Sequence, residues 1–257
     1  MNLNFLAICI GNTSTQLGTF VAGELTDRYT PANDDAPAMA TGLQQAMAPL
    51  HDKPDAIVVV SSVQPAVCAQ VCGQLAQQTK AQLFRVEQDM PIPIGRQLDA
   101  AANVGEDRLL NAAAAFDVLR QACVVVDAGT AITVDFVDGA GTYHGGAIAP
   151  GARLMLSAMH DRAAQLPEVQ WQRPIEPIGH STAEAMRSGV FHGLRGMLRE
   201  LTEQYAEVAG SYPMVVATGG DALVLFDAYE LVDRIVPDLA LHGIEATVRV
   251  AVDGAED

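Results

Sequence analysis

The sequence predicts an α/β protein made of two related halves. Three observations carry this. First, the β-branched run Val124-Val125-Val126 delivers one carboxylate, Asp127, to a tight Ala128-Gly129-Thr130 turn and leaves through a second β-rich run, Ile132 to Val137. Second, Leu6-Ala7-Ile8-Cys9-Ile10-Gly11-Asn12-Thr13 leads into another β-rich run, Ser14 to Phe20, and repeats that pattern with Gly11 over Gly129 and Cys9 over Asp127. Third, short apolar runs alternate with helix-period segments along nearly the whole chain. A buried strand ending in an acid, a Gly and a Thr gathers a carboxylate and backbone N–H groups, which suits magnesium and phosphate oxygens.

In order, residues 3–30 read as strand, turn, strand, strand, broken at Gly11-Asn12-Thr13 and Ala22-Gly23-Glu24. Residues 31–37, with Pro31, Asn33, Asp34, Asp35 and Pro37, form a loop able to cap a helix over 38–49. Ala56 to Val60 is a short buried strand, and Ser61-Ser62-Val63-Gln64-Pro65 turns it into a helix over 66–78. Gln82 to Val86 is a strand, and Pro91-Ile92-Pro93-Ile94-Gly95 is extended because proline fixes φ and restricts the residue before it. Asn103-Val104-Gly105-Glu106-Asp107-Arg108 opens a helix whose apolar face is Leu109, Leu110, Ala113, Ala114, Phe116 and Leu119. A carboxylate in that first turn is expected on macrodipole grounds alone.

The second half has strands from Ala122 to Asp127, Ala131 to Val137 and Thr142 to Ile148, with a hairpin turn at Asp138-Gly139. Gly145-Gly146-Ala147-Ile148-Ala149-Pro150-Gly151 reads as a glycine-rich loop running into a helix over 152–164. Residues 167–178 hold three prolines, Pro167, Pro174 and Pro177, and read as an irregular excursion. A long helix starts after Ser181, with Glu184 completing a capping box. Val215 to Asp221 is again strand, glycine loop and helix start. A short last helix, Leu239 to Glu245, precedes a tail that alternates as a strand would and ends acidic and frayed. No low-complexity linker separates the halves, so the expected domains are residues 1–117 and 118–257.

The chain has 257 residues, 49% of them hydrophobic, enough for a sizeable core. Its net charge of −16 argues against nucleic-acid and anionic-membrane partners, because no phosphate backbone would be neutralised. An anionic substrate stays compatible, since a local patch or a metal reverses the field. Of the four cysteines, Cys9 and Cys123 lie in strand-like runs, and Cys68 and Cys72 have helical spacing without the second pair that zinc needs. The apolar run Leu3 to Ile10 is too short to span a bilayer and has no basic flank. A reduced, cytoplasmic protein is the expectation. His144, His180 and His192 have no ligand spacing and read as surface or packing residues.

Several motifs stand in order: Ile10-Gly11-Asn12-Thr13, Ser61-Ser62-Val63-Gln64-Pro65, Val104-Gly105-Glu106-Asp107-Arg108, Asp127-Ala128-Gly129-Thr130-Ala131, Gly145 to Gly151, Ser181-Thr182 through Ser188-Gly189, and Thr218-Gly219-Gly220. The set resembles the type III pantothenate kinases, within the actin/hexokinase/sugar-kinase superfamily. The resemblance implies two duplicated RNase H-like domains with ATP in the cleft between them. It implies that Gly11, Asn12, Thr13 and Thr130 bind phosphate and that Gly219 and Gly220 border the adenosine. It makes Asp107 the catalytic base, places Gly105, Arg108 and Thr182 on pantothenate, and gives Asp127 a monovalent cation, potassium or ammonium. Magnesium accompanies ATP, and the expected assembly is a homodimer. The product would be 4′-phosphopantothenate, made in the first step of coenzyme A biosynthesis.

Two stretches depart from the family pattern. Cys9 stands where the first phosphate motif begins with Asp, and Leu98, Ala100 and Ala101 stand where a Tyr and an Asn-Pro pair precede the Gly-x-Asp-Arg motif. A thiol is a poor ligand for hard magnesium. The alternatives to an active pantothenate kinase are therefore a homologue with weak or no transfer that keeps the fold and serves as a nucleotide- or ligand-binding or regulatory protein, and a kinase for another small hydroxylated acceptor.

Overall fold

A computed structural model describes residues 3–254. In chain order the elements are β1 (Phe5–Ile10), β2 (Thr15–Val21), β3 (Glu24–Tyr29), α1 (Ala36–Met47), a 3₁₀ turn at Ala48–Leu50, β4 (Ile57–Ser62), α2 (Pro65–Gln78), β5 (Gln82–Arg85), β6 (Gly95–Arg96) and α3 (Glu106–Leu119). Then follow β7 (Cys123–Ala128), β8 (Ala131–Val137), β9 (Thr142–Pro150), α4 (Ala152–Arg162), α5 (Thr182–Ala209), β10 (Met214–Thr218), α6 (Ala222–Phe226), β11 (Arg234–Ile235) and α7 (Leu239–Asp253). They form two compact units. One comprises the chain up to Ile94, Ala101–Asp117 and the chain from Asp238; the other comprises Gly95–Ala100 and Val118–Pro237.

The first unit holds a five-stranded sheet in the order β3-β2-β1-β4-β5, and the second a six-stranded sheet in the order β11-β10-β7-β8-β9-β6. Read from β9 to β11, the second repeats the first: a three-strand antiparallel meander followed by two parallel additions. On the parallel side the correspondence extends to register: Cys9 sits opposite Ser61 on β4 as Asp127 sits opposite Thr218 on β10, while the hairpins differ by one residue, Cys9 lying opposite Gln16 and Asp127 opposite Thr133. The internal echo in the sequence is thus a duplicated topology.

Strands β1 and β7 are central in their sheets, which explains their continuous apolar composition. In the first unit Leu6, Ile8, Ile10, Val58 and Val60 pack with Leu43, Met47 and Leu75 of α1 and α2. In the second, Val124, Val126, Ile132, Val134 and Phe136 pack with Leu156, Phe191, Leu194 and Leu198 of α4 and α5. Alternation then puts Cys9 and Asp127 on the opposite face of each sheet.

Helix starts follow ordinary capping chemistry. The Asp35 carboxylate accepts from Ala38 N at 2.9 Å ahead of α1, and Pro65 begins α2, where a missing N–H costs nothing. Ser181 Oγ accepts from Glu184 N at 3.3 Å while Glu184 Oε2 accepts from His180 N at 3.1 Å, and α5 ends on Gly210 at φ 68°.

Two expectations fail. The stretch from Gly145 to Pro150 is the latter part of β9, not a loop, and only Gly151 caps α4. A Cβ on Gly146 would lie 2.7 Å from Asp135 Cα, so this glycine serves close approach of β8 and β9. The tail after Ala246 is helix, not strand. Helix α7 runs unbroken to Asp253, because Leu241, Ile244 and Val248 share a buried face, Phe20 meets His242 edge-on, and Gly243 lets the Leu110 carbonyl come close. Tertiary burial overrides the β-branched composition there. The acidic end, residues 255–257, lies outside the described residues. No helix among the described residues is long and apolar enough to cross a membrane.

Candidate active site

In the first unit the Gly11–Ser14 turn follows β1 directly. Gly11 N donates to Ser14 O at 3.0 Å, and Asn12 and Thr13 are exposed at the tip. Asn33 holds this turn: its Nδ2 donates to Gly11 O at 2.9 Å, its Oδ1 accepts from buried Thr15 Oγ1 at 2.8 Å, and its backbone N donates to Thr13 O at 2.8 Å. From the turn between β4 and α2, Gln64 Nε2 donates to Asn12 Oδ1 at 3.0 Å. The loop is fixed by side chains that leave its tip facing water.

The first turn of α3 carries Glu106 and Asp107. Asp107 Oδ1 accepts from Arg108 N at 2.9 Å, and Arg108 N also meets Gly105 O at 3.1 Å. Burial pushes the Asp107 carboxyl above the usual carboxylate range, and the Arg108 N–H and guanidinium oppose that shift without cancelling it. Gly105 lies within this geometry, since a Cβ on it would be 2.5 Å from Asp107 Oδ1.

In the second unit Asp127 is the one half-buried residue of the otherwise buried β7, and Gly129 N donates to Ala131 O at 3.0 Å to close the turn. Two glycines pack against it. Gly219 has φ 94°, and a Cβ there would collide with Asp127 Oδ1 and stand 2.5 Å from Ala128 O. A Cβ on Gly151 would be 2.6 Å from Thr130 O, which instead accepts from Gly151 N at 2.9 Å. Asp221, 5% exposed, donates its N–H to Ala128 O at 2.9 Å and binds Arg153 Nη2 through Oδ1 at 2.8 Å. Burial raises the Asp221 carboxyl, and Arg153 counters it.

The sequence-predicted residues thus fall into local groups. Gly11, Asn12 and Thr13 share one turn, and Gly105, Asp107 and Arg108 share another. Asp127, Thr130 and Gly219 converge on a third, with Gly220 open beside them. Thr182 stands apart, exposed in the first turn of α5. Among the described residues no group of three or more His, Cys, Asp or Glu side chains forms a ready metal cage.

The model of the family described as "Type III pantothenate kinase" matches residues 5–204, a span that contains every one of these turns except the one at Gly219. The chain belongs to the type III pantothenate kinase family. A curated type III pantothenate kinase from Rhodospirillum rubrum is 36% identical over 247 residues, covering 93% of this chain and 95% of that one. Among solved structures, a conserved putative Baf family transcriptional activator from Campylobacter jejuni superposes with a TM-score of 0.59 at 19% identity, covering 96% of this chain and 99% of that one. MreB5 of Spiroplasma citri bound to AMPPNP gives 0.53 at 11% identity, covering 100% and 99%. At these identities the two structures bear on fold alone, which is of the actin/hexokinase type.

Membership in the type III pantothenate kinase family leaves three anchors that the motifs did not reveal: Asn33, Glu106 and Asp221. Asn33 looks like ordinary loop composition, and Glu106 like a macrodipole residue. Their partners are 22 and 45 residues away, so no local pattern signals them. Asp221 could have been flagged, because an acid directly after a glycine pair at a helix start is a familiar anchoring arrangement.

Proposed function

We propose that this protein transfers the γ-phosphoryl group of ATP to the hydroxyl of pantothenate, giving 4′-phosphopantothenate and ADP. The observation that carries the reading is Asp107: a half-buried carboxylate with a raised proton affinity, beside Arg108, in a chain whose family is kinases of pantothenate. Asp107 takes the proton of the attacking hydroxyl, a bond forms from that oxygen to the γ-phosphorus, and the bond to the β–γ bridging oxygen breaks with its electrons leaving on ADP. Gly105, Arg108 and Thr182 hold pantothenate. Gly11, Asn12, Thr13 and Thr130 hold phosphate, and Gly219 and Gly220 border adenosine. The catalytic contribution is mostly positioning and charge neutralisation.

Magnesium enters with ATP. Such sites take one or two carboxylates plus phosphate oxygens and water, not an all-protein cage. The donor chemistry fits this on the Asp127 side, where a half-buried carboxylate stands at the strand end beside the Gly129 turn. It does not fit on the Cys9 side, whose thiol is buried. Bound magnesium neutralises phosphate charge. We assign Asp127 and its turn to a monovalent cation as well, potassium or ammonium. A homodimer in the cytoplasm completes the reading.

The test is transfer from γ-labelled ATP to pantothenate with magnesium and potassium present. Transfer is expected, and Asp107→Asn should remove it by at least ~100-fold. Nucleotide binding without transfer to pantothenate would replace this reading with that of a binding protein. Cys9→Asp restores the carboxylate that the second unit carries at Asp127. It is expected to tighten magnesium–ATP binding, measured by calorimetry.

A further inference from the structure

We propose that Glu106 is the positioning residue for Asp107, a strut that ties the start of α3 to the end of β4. This rests on the kinase reading of Asp107. A carboxylate in a helix's first turn ordinarily serves its own helix dipole. Glu106 reaches elsewhere. Its Oε2 accepts from Ser61 Oγ at 2.7 Å and from Ser62 N at 3.1 Å. Ser61 is only 1% exposed, so the carboxylate satisfies a buried hydroxyl and a strand-end N–H together.

The attachment point matters. Ser61 and Ser62 lie opposite Cys9 and Ile10 of β1, and Val63 N donates to Ile10 O at 3.0 Å. Two residues on, Gln64 holds Asn12 in the turn after β1, while Ser62 Oγ is locked to Gln64 N at 3.0 Å. One carboxylate therefore joins the helix that aims Asp107 to the strand that carries the turn at Asn12. Asp107 follows Glu106 directly, and its Oδ1 direction is set by Arg108 N and by the open space at Gly105. A shift of the helix start moves that carboxylate bodily. The duplication shows why the first unit needs the strut: Thr218, equivalent to Ser61, instead donates its hydroxyl to Pro237 O at 3.3 Å, and Asp127 supplies an acid from the central strand itself.

The test compares Glu106→Ala with Glu106→Gln. The amide oxygen of Gln can accept both bonds, so Gln should keep most of the wild-type kcat. Ala should lower kcat by ~10–100-fold, the range a misplacement of about 1 Å produces, with KM for ATP and pantothenate changing far less. Hydrogen exchange reads the strut without catalysis: the amides of Ser62 and Arg108 should exchange about tenfold faster in Glu106→Ala and as in wild type in Glu106→Gln. Should Glu106→Ala fail to fold, Ser61→Ala removes one of the two bonds and should give a smaller change in the same direction. An Ala variant with wild-type kcat, or a Gln variant no better than Ala, overturns the proposal. So does unchanged Arg108 exchange in Ala. A wild-type protein that transfers nothing to pantothenate overturns the kinase reading instead, and the exchange comparison still decides whether the strut exists.

Discussion

Asp107 owes its chemistry to small neighbours. Burial raises its proton affinity, and Gly105 leaves the space its Oδ1 occupies. Gly105→Ala would bring a Cβ against that oxygen, but the obstructing atom is the end of a flexible side chain, and Gly105 lies outside the left-handed region. The fold should accommodate the change and the carboxylate should not. The expected result is a melting temperature within about 2 °C of wild type and kcat down by ~10-fold or more; equal losses in both would mean that Gly105 matters for folding. The raised affinity also has a cost to stability. Between its unfolded and folded values the native state holds more protons at Asp107 than the unfolded state does. Stability therefore falls as pH rises through the folded value and stays lowered above it. Asp107→Asn cannot ionise, yet its amide oxygen still accepts from Arg108 N. It should melt higher than wild type at neutral pH, and the gain should vanish below the ordinary carboxylate range. A lower melting temperature at neutral pH would show that the ionised form is the stabilised one. At this scale strand, turn and helix-start patterns place Asp127, Gly129 and Asp107 at the ends of elements, and the family resemblance alone proposes a role for Asp107. It could not reveal that Asn33 and Glu106 anchor those turns, because that depends on which strands lie side by side.

Elements were legible where one period dominated. The runs at β1, β4, β7 and β10 have few readings other than buried strand, and α1, α2, α3 and α5 carry capping residues at their starts or clear apolar faces. Where two periods fit one stretch, packing decided. In α7, Thr247 returns its hydroxyl to Gly243 O at 2.8 Å, a helical i to i−4 bond, and burial of Val248 completes the face. In β9, glycines that look like a phosphate loop serve strand pairing. The loop before α1 shows how elements are joined for function: Asn33 makes three bonds to the turn after β1. Asn33→Ala removes two of them and leaves buried Thr15 Oγ1 without its acceptor, which should cost about 1–3 kcal/mol. If the turn holds phosphate, KM for ATP should rise several-fold with little change in KM for pantothenate. Unchanged ATP kinetics beside a measurable loss of stability would confine Asn33 to structure.

Across the whole chain, duplication and charge set the terms. Two sheets that share a five-strand order and the same parallel register at Cys9 and Asp127 account for most of the architecture, and one acid distinguishes the two central strands. The surface carries the remainder. With 31 acidic and 15 basic residues, acidic side chains outnumber the available cations about twofold. Ion pairs such as Arg28 with Asp238, Arg153 with Asp221 and Arg249 with Asp117 cannot neutralise every carboxylate when acids are in this excess. Such repulsion destabilises the compact state, and salt weakens it, because the screening length falls from about 30 Å at 0.01 M to about 8 Å at 0.15 M. The paired charges are mostly short-range and lose less. Stability at pH 7 should therefore rise between those salt concentrations, with the melting temperature up by about 2–4 °C. The gain should shrink as pH falls toward the pI of 4.6, where the net charge disappears. A melting temperature that falls with salt at pH 7 would show that attractive pairs, not self-repulsion, dominate the electrostatics of this acidic chain.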